Sequence, residues 1–475
     1  MSAPHKSRRR RNAGARLQRS VLRGPAVAEP HLPSEAELSR IVERVLRFSD
    51  ADETEVEVDA GVDALTRFAN NTIHQNVAEQ TLSVSVRSVF DGRTARASTN
   101  KMDDESLRRI VAASATLAKS QPKVPGLLSM PGPQKYVAVK RYFPGTAGAT
   151  PDDRARAVAA VVANADKRRQ TAAGIFSTGA FTTLLANSRG LYAAHRQTRA
   201  EFSVTMLEGD SSGWAKGNSP DIRRIDPDAL AATAIEKSVT SRHPREVAPG
   251  HWTVILEPSA VQDLVGFLSY DFAGTSVMDQ RSCFNKRIGK RIMGENVTVR
   301  DDFTHPLQSG APFDGEGMPR QKVLLIERGV PKNLVYARAT AGKMKARPTG
   351  HGFPLPNEYG EAPVNIVIEG GKTPLTEMVA STERGILVTR FWYIREVDPY
   401  DKIVTGMTRD GSFLVENGRI ISGIRNFRFN QSLLEMLSNV EQLGPVVRAA
   451  GEESFEMVAP AMKIRDFHFT EVTRF

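Results

Sequence analysis

Apolar positions at helical spacing open the chain's first clear element. Leu38, Ile41, Val42, Val45 and Leu46 recur at three- and four-residue intervals behind Ser34, which stands at capping-box distance from Glu37. The pattern predicts a helix that begins at Ser34. Strict alternation follows in Glu55-Val56-Glu57-Val58-Asp59, in Leu65 to Asn70 and in Thr81 to Phe90. Asp91-Gly92 is a hairpin turn into Thr94–Ser98. A helix from about Asp103 to Lys119 closes the unit. Its order of helix, antiparallel strands and helix argues for an α+β layer and against a doubly wound sheet.

Residues 120–150 interrupt the periodicity with Pro122, Pro125, Pro131, Gly132, Pro133 and Pro144, and read as a linker or a long surface crossing. A helix then opens at Thr150-Pro151-Asp152-Asp153 and runs to about Arg169. A second strand set turns at Asn187-Ser188-Arg189-Gly190 and alternates over Glu201–Leu207. A helix near Asp226–Ser241 ends it. From His251 onward short strands and Gly turns dominate. Val323–Val330 and Phe413–Ile420 share one pattern, an apolar strand, a Glu-x-Gly turn and a return strand. Two hairpins account for it without a solenoid period.

The expected fold is therefore α+β, with N-terminal α/β layers containing antiparallel sheets. A large β-rich C-terminal domain, barrel- or sandwich-like, follows. The expected divisions are a basic disordered arm (1–32), an N-terminal α+β domain (33–120), a central α+β domain (121–245) and the C-terminal domain (246–475).

Composition changes this picture little. At 475 residues, 40% hydrophobic and 25% charged, the chain suits two or three globular domains. Its net charge of +10 is unevenly placed. Residues 1–30 hold Lys6, Arg8, Arg9, Arg10, Arg11, Arg16, Arg19 and Arg23 against Glu29 alone, so the rest of the chain is nearly neutral. A disordered, dispensable arm is expected, with weak nucleic-acid or anionic-surface contact and an organellar transit peptide as the alternatives; nucleic acid is not the expected partner of the nearly neutral body. The arm has no apolar core of signal-peptide length, and no run suits a membrane span. Cys283, the single cysteine, excludes a disulfide framework within the chain and fits a reducing, cytoplasmic setting.

Pro258 at a first helical position opens a short helix expected to reach Tyr270. Ala260, Val261, Leu264, Val265 and Leu268 form its apolar face. It contains Gln262-Asp263-Leu264-Val265-Gly266-Phe267. Further segments are Thr66–Asn71, Asn187–Gly190, Gly294–Asp302, Phe313–Pro319, Ala341–Gly352, Gly370-Gly371, Gly385–Thr389 and Ile420–Asn430. In this order and spacing they resemble the TldD/PmbA family of peptidases and peptidase subunits, over nearly the whole chain after residue 33. The resemblance implies an N-terminal α/β part, a β-rich C-terminal part and dimers that enclose a cavity. One arrangement in the family pairs a catalytic subunit with one that lacks the zinc motif.

In the catalytic branch this helix carries His-Glu-x-x-x-His. The matching positions here are Gln262, Asp263 and Phe267. A phenyl ring has no lone pair for a metal, and an amide oxygen is a poor zinc ligand. The family's late cysteine ligand matches the region Val446–Arg448, which contains none. No catalytic, cofactor or metal residue is therefore assigned to this chain, and zinc is expected in a partner.

Other chemistry is thin. None of the nine histidines pairs at i, i+4 spacing, and there is no HExxH. His74, His305 and His351 with Asp263 are the residues a relocated metal would use. Asp263 otherwise reads as a remnant carboxylate facing a cavity or, in preference, as an exposed polar residue of an amphipathic helix. Asp314-Gly315-Glu316-Gly317 reads as a tight acidic turn before a calcium or amine site. Thr349-Gly350-His351-Gly352 reads as a plain turn with an exposed histidine before an active-site loop. There is no G-x-S-x-G elbow and no P-loop. Cys283 reads as inert unless Arg281, Lys286 and Arg287 gather around it.

The function expected from the resemblance is the non-catalytic, PmbA/TldE-like subunit of a peptidase complex acting on unfolded peptide. It would pair with a zinc-bearing TldD-like homologue or form a homodimer. The alternatives are a self-contained hydrolase of the same fold and a homo-oligomeric peptide-binding protein.

Overall fold

The computed structural model describes residues 31–473, so residues 1–30 of the basic arm lie outside the described residues. Helix α1 (Glu35–Phe48) starts where the capping box requires. Ser34 Oγ accepts from the Glu37 N–H, and the Glu37 carboxylate accepts from the Ser34 N–H at 2.7 Å. Strands β1 (Glu53–Ala69), β2 (Thr72–Phe90) and β3 (Arg93–Thr99) form an antiparallel meander, and α2 (Asp104–Ser120) packs back on it. The two short alternating runs expected over Glu55–Asp59 and Leu65–Asn70 are one continuous strand, β1. Asp91 and Gly92, both at positive φ, make the expected tight turn.

Apart from α3 (Pro144–Ala147), residues 121–150 have no regular structure. They are nonetheless anchored, because Arg141 donates to the carbonyls of Phe303 and His305 and Tyr136 donates to that of Gly317. Next come α4 (Pro151–Lys167), β4 (Thr171–Asn187), β5 (Tyr192–Glu208), β6 (Ser211–Ser219) and α5 (Pro227–Thr240). Strand β4 pairs with β1, so both N-terminal segments share one six-stranded sheet in the order β3-β2-β1-β4-β5-β6.

Period-two alternation gives this sheet two unlike faces. Val56, Val58, Val84, Val86, Leu184 and Ala186 bury against α1 and α2. Full burial of such a side chain stabilises by roughly 1.5–3 kcal/mol. The opposite face carries Glu55, Glu57, Asp59, Thr183, His195 and Gln197. Glu55 is buried there and pairs with Arg87 at 3.1 Å and Arg96 at 2.5 Å.

The C-terminal part begins with β7 (Gly250–Leu256), α6 (Pro258–Val265), a 3-10 segment (Gly266–Phe272) and α7 (Gly274–Met278). Short strands β8 (Val299–Asp301), β9 (Val323–Glu327) and β10 (Val330–Pro331) lead to α8 (Arg338–Met344), β11 (Ile366–Ile368) and α9 (Leu375–Ala380). The long strands β12 (Arg384–Asp398) and β13 (Ile403–Glu416) follow, then β14 (Arg419–Gly423) and β15 (Phe427–Ser432). Helix α10 (Leu433–Ser438), β16 (Val440–Ala449) and β17 (Met457–Val472) complete it.

Pairings run from β7 to β12, β13, β15 and β17 and back to β7, which closes a five-strand ring. Phe391, Phe427, Phe429, Phe467 and Phe469 pack ring to ring in its core. The fold is α+β, with an antiparallel N-terminal sheet and a large mixed C-terminal sheet. Among the described residues no helix is long and apolar enough to cross a membrane.

Candidate functional site

Helix α6 lies against the ring, over β12 and β17. Ala260 through Val265 are all buried, so the expectation that Asp263 is an exposed polar residue is wrong. The helix lacks a wet face because the chain between β16 and β17 folds across it. The helix also stops early. Gly266 begins the 3-10 segment, and a Cβ there would sit 1.7 Å from Ser454 Oγ.

The overlying chain is held by the two polar side chains of the degenerate motif. Gln262 Oε1 accepts from the Gly451 N–H at 2.8 Å, and its Nε2 donates to the Ser454 carbonyl at 3.1 Å. Asp263 Oδ1 accepts from the N–H groups of Glu452 and Glu453, and Oδ2 from that of Phe391. Strand β7 pairs with β12 only as far as Val388, so this edge of β12 needs acceptors beyond that point. Asp263 serves Phe391, and the Glu453 carboxylate serves Tyr393 and Ile394. Burial pushes the Asp263 carboxyl up to about 7 against the pull of its three backbone donors.

Phe267 packs on the main core and lines a cavity of about 630 Å³ with Tyr270, Asp271, Tyr400 and Lys402. Lys402 is buried between Asp271 at 2.6 Å and Glu396 at 2.5 Å. Burial alone would lower the ammonium's pKa, but the two carboxylates outweigh it and hold it above the ordinary range. Asp271 also accepts from the Cys283 N–H. Burial and this carboxylate push the Cys283 thiol up, and the side chain is enclosed. Arg287 instead donates to the Cys283 and Tyr400 carbonyls. The cavity thus has an ion cluster and aromatic walls.

These positions do not fit zinc. The amide of Gln262 and the carboxylate of Asp263 are engaged by backbone groups, and Phe267 has no donor. The alternative set is dispersed. His74 is exposed on β2, and His305 Nδ1 accepts from the Leu307 N–H within its own turn. His351 is buried, which corrects the expectation of an exposed turn histidine. Its Nε2 lies 3.2 Å from Asp301. Among the described residues no three His, Cys, Asp or Glu side chains converge to hold a metal.

Asp314-Gly315-Glu316-Gly317 is the tight turn that was expected, but a buried one. Asp314 accepts from the N–H groups of Glu316, Met318 and Gly352, and so ties the turn to the His351 loop. Glu316, raised to about 7 by burial, accepts from the Arg338 N–H.

Three domain profiles match in register with this architecture. They are PmbA/TldA metallopeptidase domain 1 at residues 54–118, the central domain at 149–242 and the C-terminal domain at 249–471. The chain belongs to the PmbA/TldD metallopeptidase family. Metalloprotease PmbA of Escherichia coli O157:H7 is 22% identical over 90% of this chain and 95% of its own length. The TldD homologue of Buchnera aphidicola, a metalloprotease, is 25% identical over 56% of the chain. The chain spans only 59% of that relative's length. The crystal structure of TldE from Thermococcus kodakarensis superposes with a TM-score of 0.83 at 21% identity. That match covers 91% of this chain and all of the other, and establishes the PmbA/TldD fold here.

The sequence reading did not single out Gly451–Ser454, Glu453, Lys402 or Asp301. The contact of Gln262 with Gly451 spans 189 positions, and no local pattern announces it.

Proposed function

We propose that this chain is the zinc-free subunit of a two-subunit peptidase. A homologue bearing His-Glu-x-x-x-His would supply the metal, its activated water and the general base. This chain would complete the shared chamber and help hold unfolded peptide. The observation that supports the reading is the engagement of Gln262, Asp263 and Phe267 in hydrogen bonds and core packing. A helix kept for packing suits a subunit whose partner does the chemistry.

An open strand edge supports the peptide-holding part. Strand β2 has β1 along one side, but β3 covers its other side only from Val84 onward. The stretch Thr72–Ser83 is mostly exposed. An extended peptide adds to such an edge through backbone hydrogen bonds that tolerate many sequences.

Co-expression with a zinc-bearing homologue from the same genome tests the proposal. The expected result is a stable complex that cleaves unfolded peptide, with zinc in the homologue and none required in this chain. Stoichiometric zinc in the lone chain, needed for hydrolysis, would refute it. So would exclusive homodimers in the presence of that homologue.

A further inference from the structure

We propose that the cavity beside α6 binds an organic cation, an ammonium or guanidinium on a short chain presented by a peptide. The inference deepens the peptide-holding role proposed above and rests on it for its natural ligand. At about 630 Å³ the cavity has the size of common ligand pockets, which combine apolar walls with a few placed polar groups.

Three aromatic rings line it without a cation from the chain itself. Tyr270 is 56% exposed and Tyr400 54%, and half-buried Phe267 stands where the catalytic branch has its second histidine. Tyr270 leans on Phe353 with ring centroids 6.5 Å apart, and the Tyr400 hydroxyl donates to the Gln280 carbonyl at 3.1 Å. A ring face carries negative potential and attracts a cation within about 6 Å of its centroid. Elsewhere in the C-terminal part the chain supplies that cation. Arg384 lies over Trp252, Arg409 over Trp392 and Arg395 over Tyr393. Among the described residues no Lys or Arg lies over Phe267, Tyr270 or Tyr400.

Charge points the same way. Asp271, Glu396 and Glu453 line the cavity against Lys402 and Arg281. Lys402 is one ammonium held between two of these carboxylates, so that cluster keeps a negative balance. Glu453 accepts from the N–H groups of Tyr393 and Ile394; Arg395 reaches it only at 3.9 Å and lies over the Tyr393 ring. Arg281 is paired with Asp279 at 3.0 Å. Glu396, with 36% of its side chain exposed, is the carboxylate open to a ligand, while Asp271 and Lys402 are enclosed. A cleft of negative balance with apolar walls concentrates cations. A bound cation would lie on the faces of Tyr270 and Tyr400 with its charge toward Glu396.

Titration of the full chain alone, followed by nuclear magnetic resonance of the probe, tests it with three compounds. They are acetyl-lysine methylamide, norleucine methylamide with its free α-amine, and the neutral acetyl-norleucine methylamide. A cationic probe should bind, and the neutral one at least about tenfold more weakly. Whichever cation binds more tightly names the source, a basic side chain or a peptide N-terminus; equal binding of the two places recognition in the charge alone. Tyr270→Leu and Tyr400→Leu keep apolar bulk and remove a ring face. Both residues are exposed, so each variant should weaken cation binding several-fold at unchanged thermal stability. The neutral probe binding as tightly as the cations, no binding of either cation, or unchanged affinity in both variants would overturn the proposal. No homologue and no hydrolysis enter this titration, so its failure leaves the two-subunit reading standing, and failure of the co-expression leaves the cation site standing.

Discussion

Replacing Asp263 with Asn separates two effects of one carboxyl group. In the folded chain burial lifts its pKa from an ordinary 3.8 to about 7. A raised pKa means that the folded state keeps a proton which the unfolded state releases between those values. The associated stability is fully present below about pH 4 and is lost as pH rises through about 7. The shift of about three units amounts to about 4 kcal/mol, of which about 3 falls between pH 5 and pH 8. Asn carries no such term. It keeps an acceptor for Glu452 and Glu453 but offers Phe391 an N–H in place of an oxygen, a loss of about 1–3 kcal/mol. Asp263→Asn should therefore be less stable than the parent at pH 5 and should gain on it by about 3 kcal/mol at pH 8. Urea unfolding at both values measures the gap, and amide exchange over residues 451–453 locates it. A gap that does not change with pH would refute the reasoning.

Three further outcomes are expected. Glu55→Gln should lower stability by about 3 kcal/mol in chemical denaturation, because Arg87 loses its buried counter-charge; a change below about 0.5 kcal/mol would contradict the ion-pair reading. The triple variant Gln262→His, Asp263→Glu and Phe267→His should be less stable than the parent and retain no stoichiometric zinc after dialysis, since Val446–Arg448 offers no third ligand; metal analysis decides this. Cys283 should resist iodoacetamide at pH 8 in the native state and react once urea exposes it, as mass spectrometry of the timed reaction will show.

Elements defined by local chemistry were legible in the sequence. Ser34 with Glu37 fixes the start of α1, Thr150 with Asp153 that of α4, and Asp91-Gly92 the turn between β2 and β3. The hairpins after Glu327 and Glu416 also stand where their glycines place them. Burial of polar residues was not legible. Asp263, His351 and Asp314 each sit in a stretch that reads as surface, and each is buried by a partner remote in the chain: Glu453, Asp301 and Gly352. Alternation reports which side of an element is apolar; it does not report that the polar side will be covered by a distant stretch of the same domain. A barrel-like C-terminal part was among the expectations, but the pairing that closes the ring was not legible, since β7 and β17 stand at opposite ends of the C-terminal part.

The shared N-terminal sheet has a consequence for synthesis. Strand β1 takes β2 on one flank and β4 on the other, from Glu55 opposite Asn187 to Phe68 opposite Gly174. During translation the second flank stays bare while more than a hundred further residues are made. The core beneath α1 and α2 also waits for Leu184 and Ala186. Residues 31–120 taken alone would thus present an open template edge on β1 until β4 becomes available to pair with it. Slow codons or a pause before residue 187 would lengthen that window and favour aggregation, while a chaperone that shields β1 would shorten the exposure.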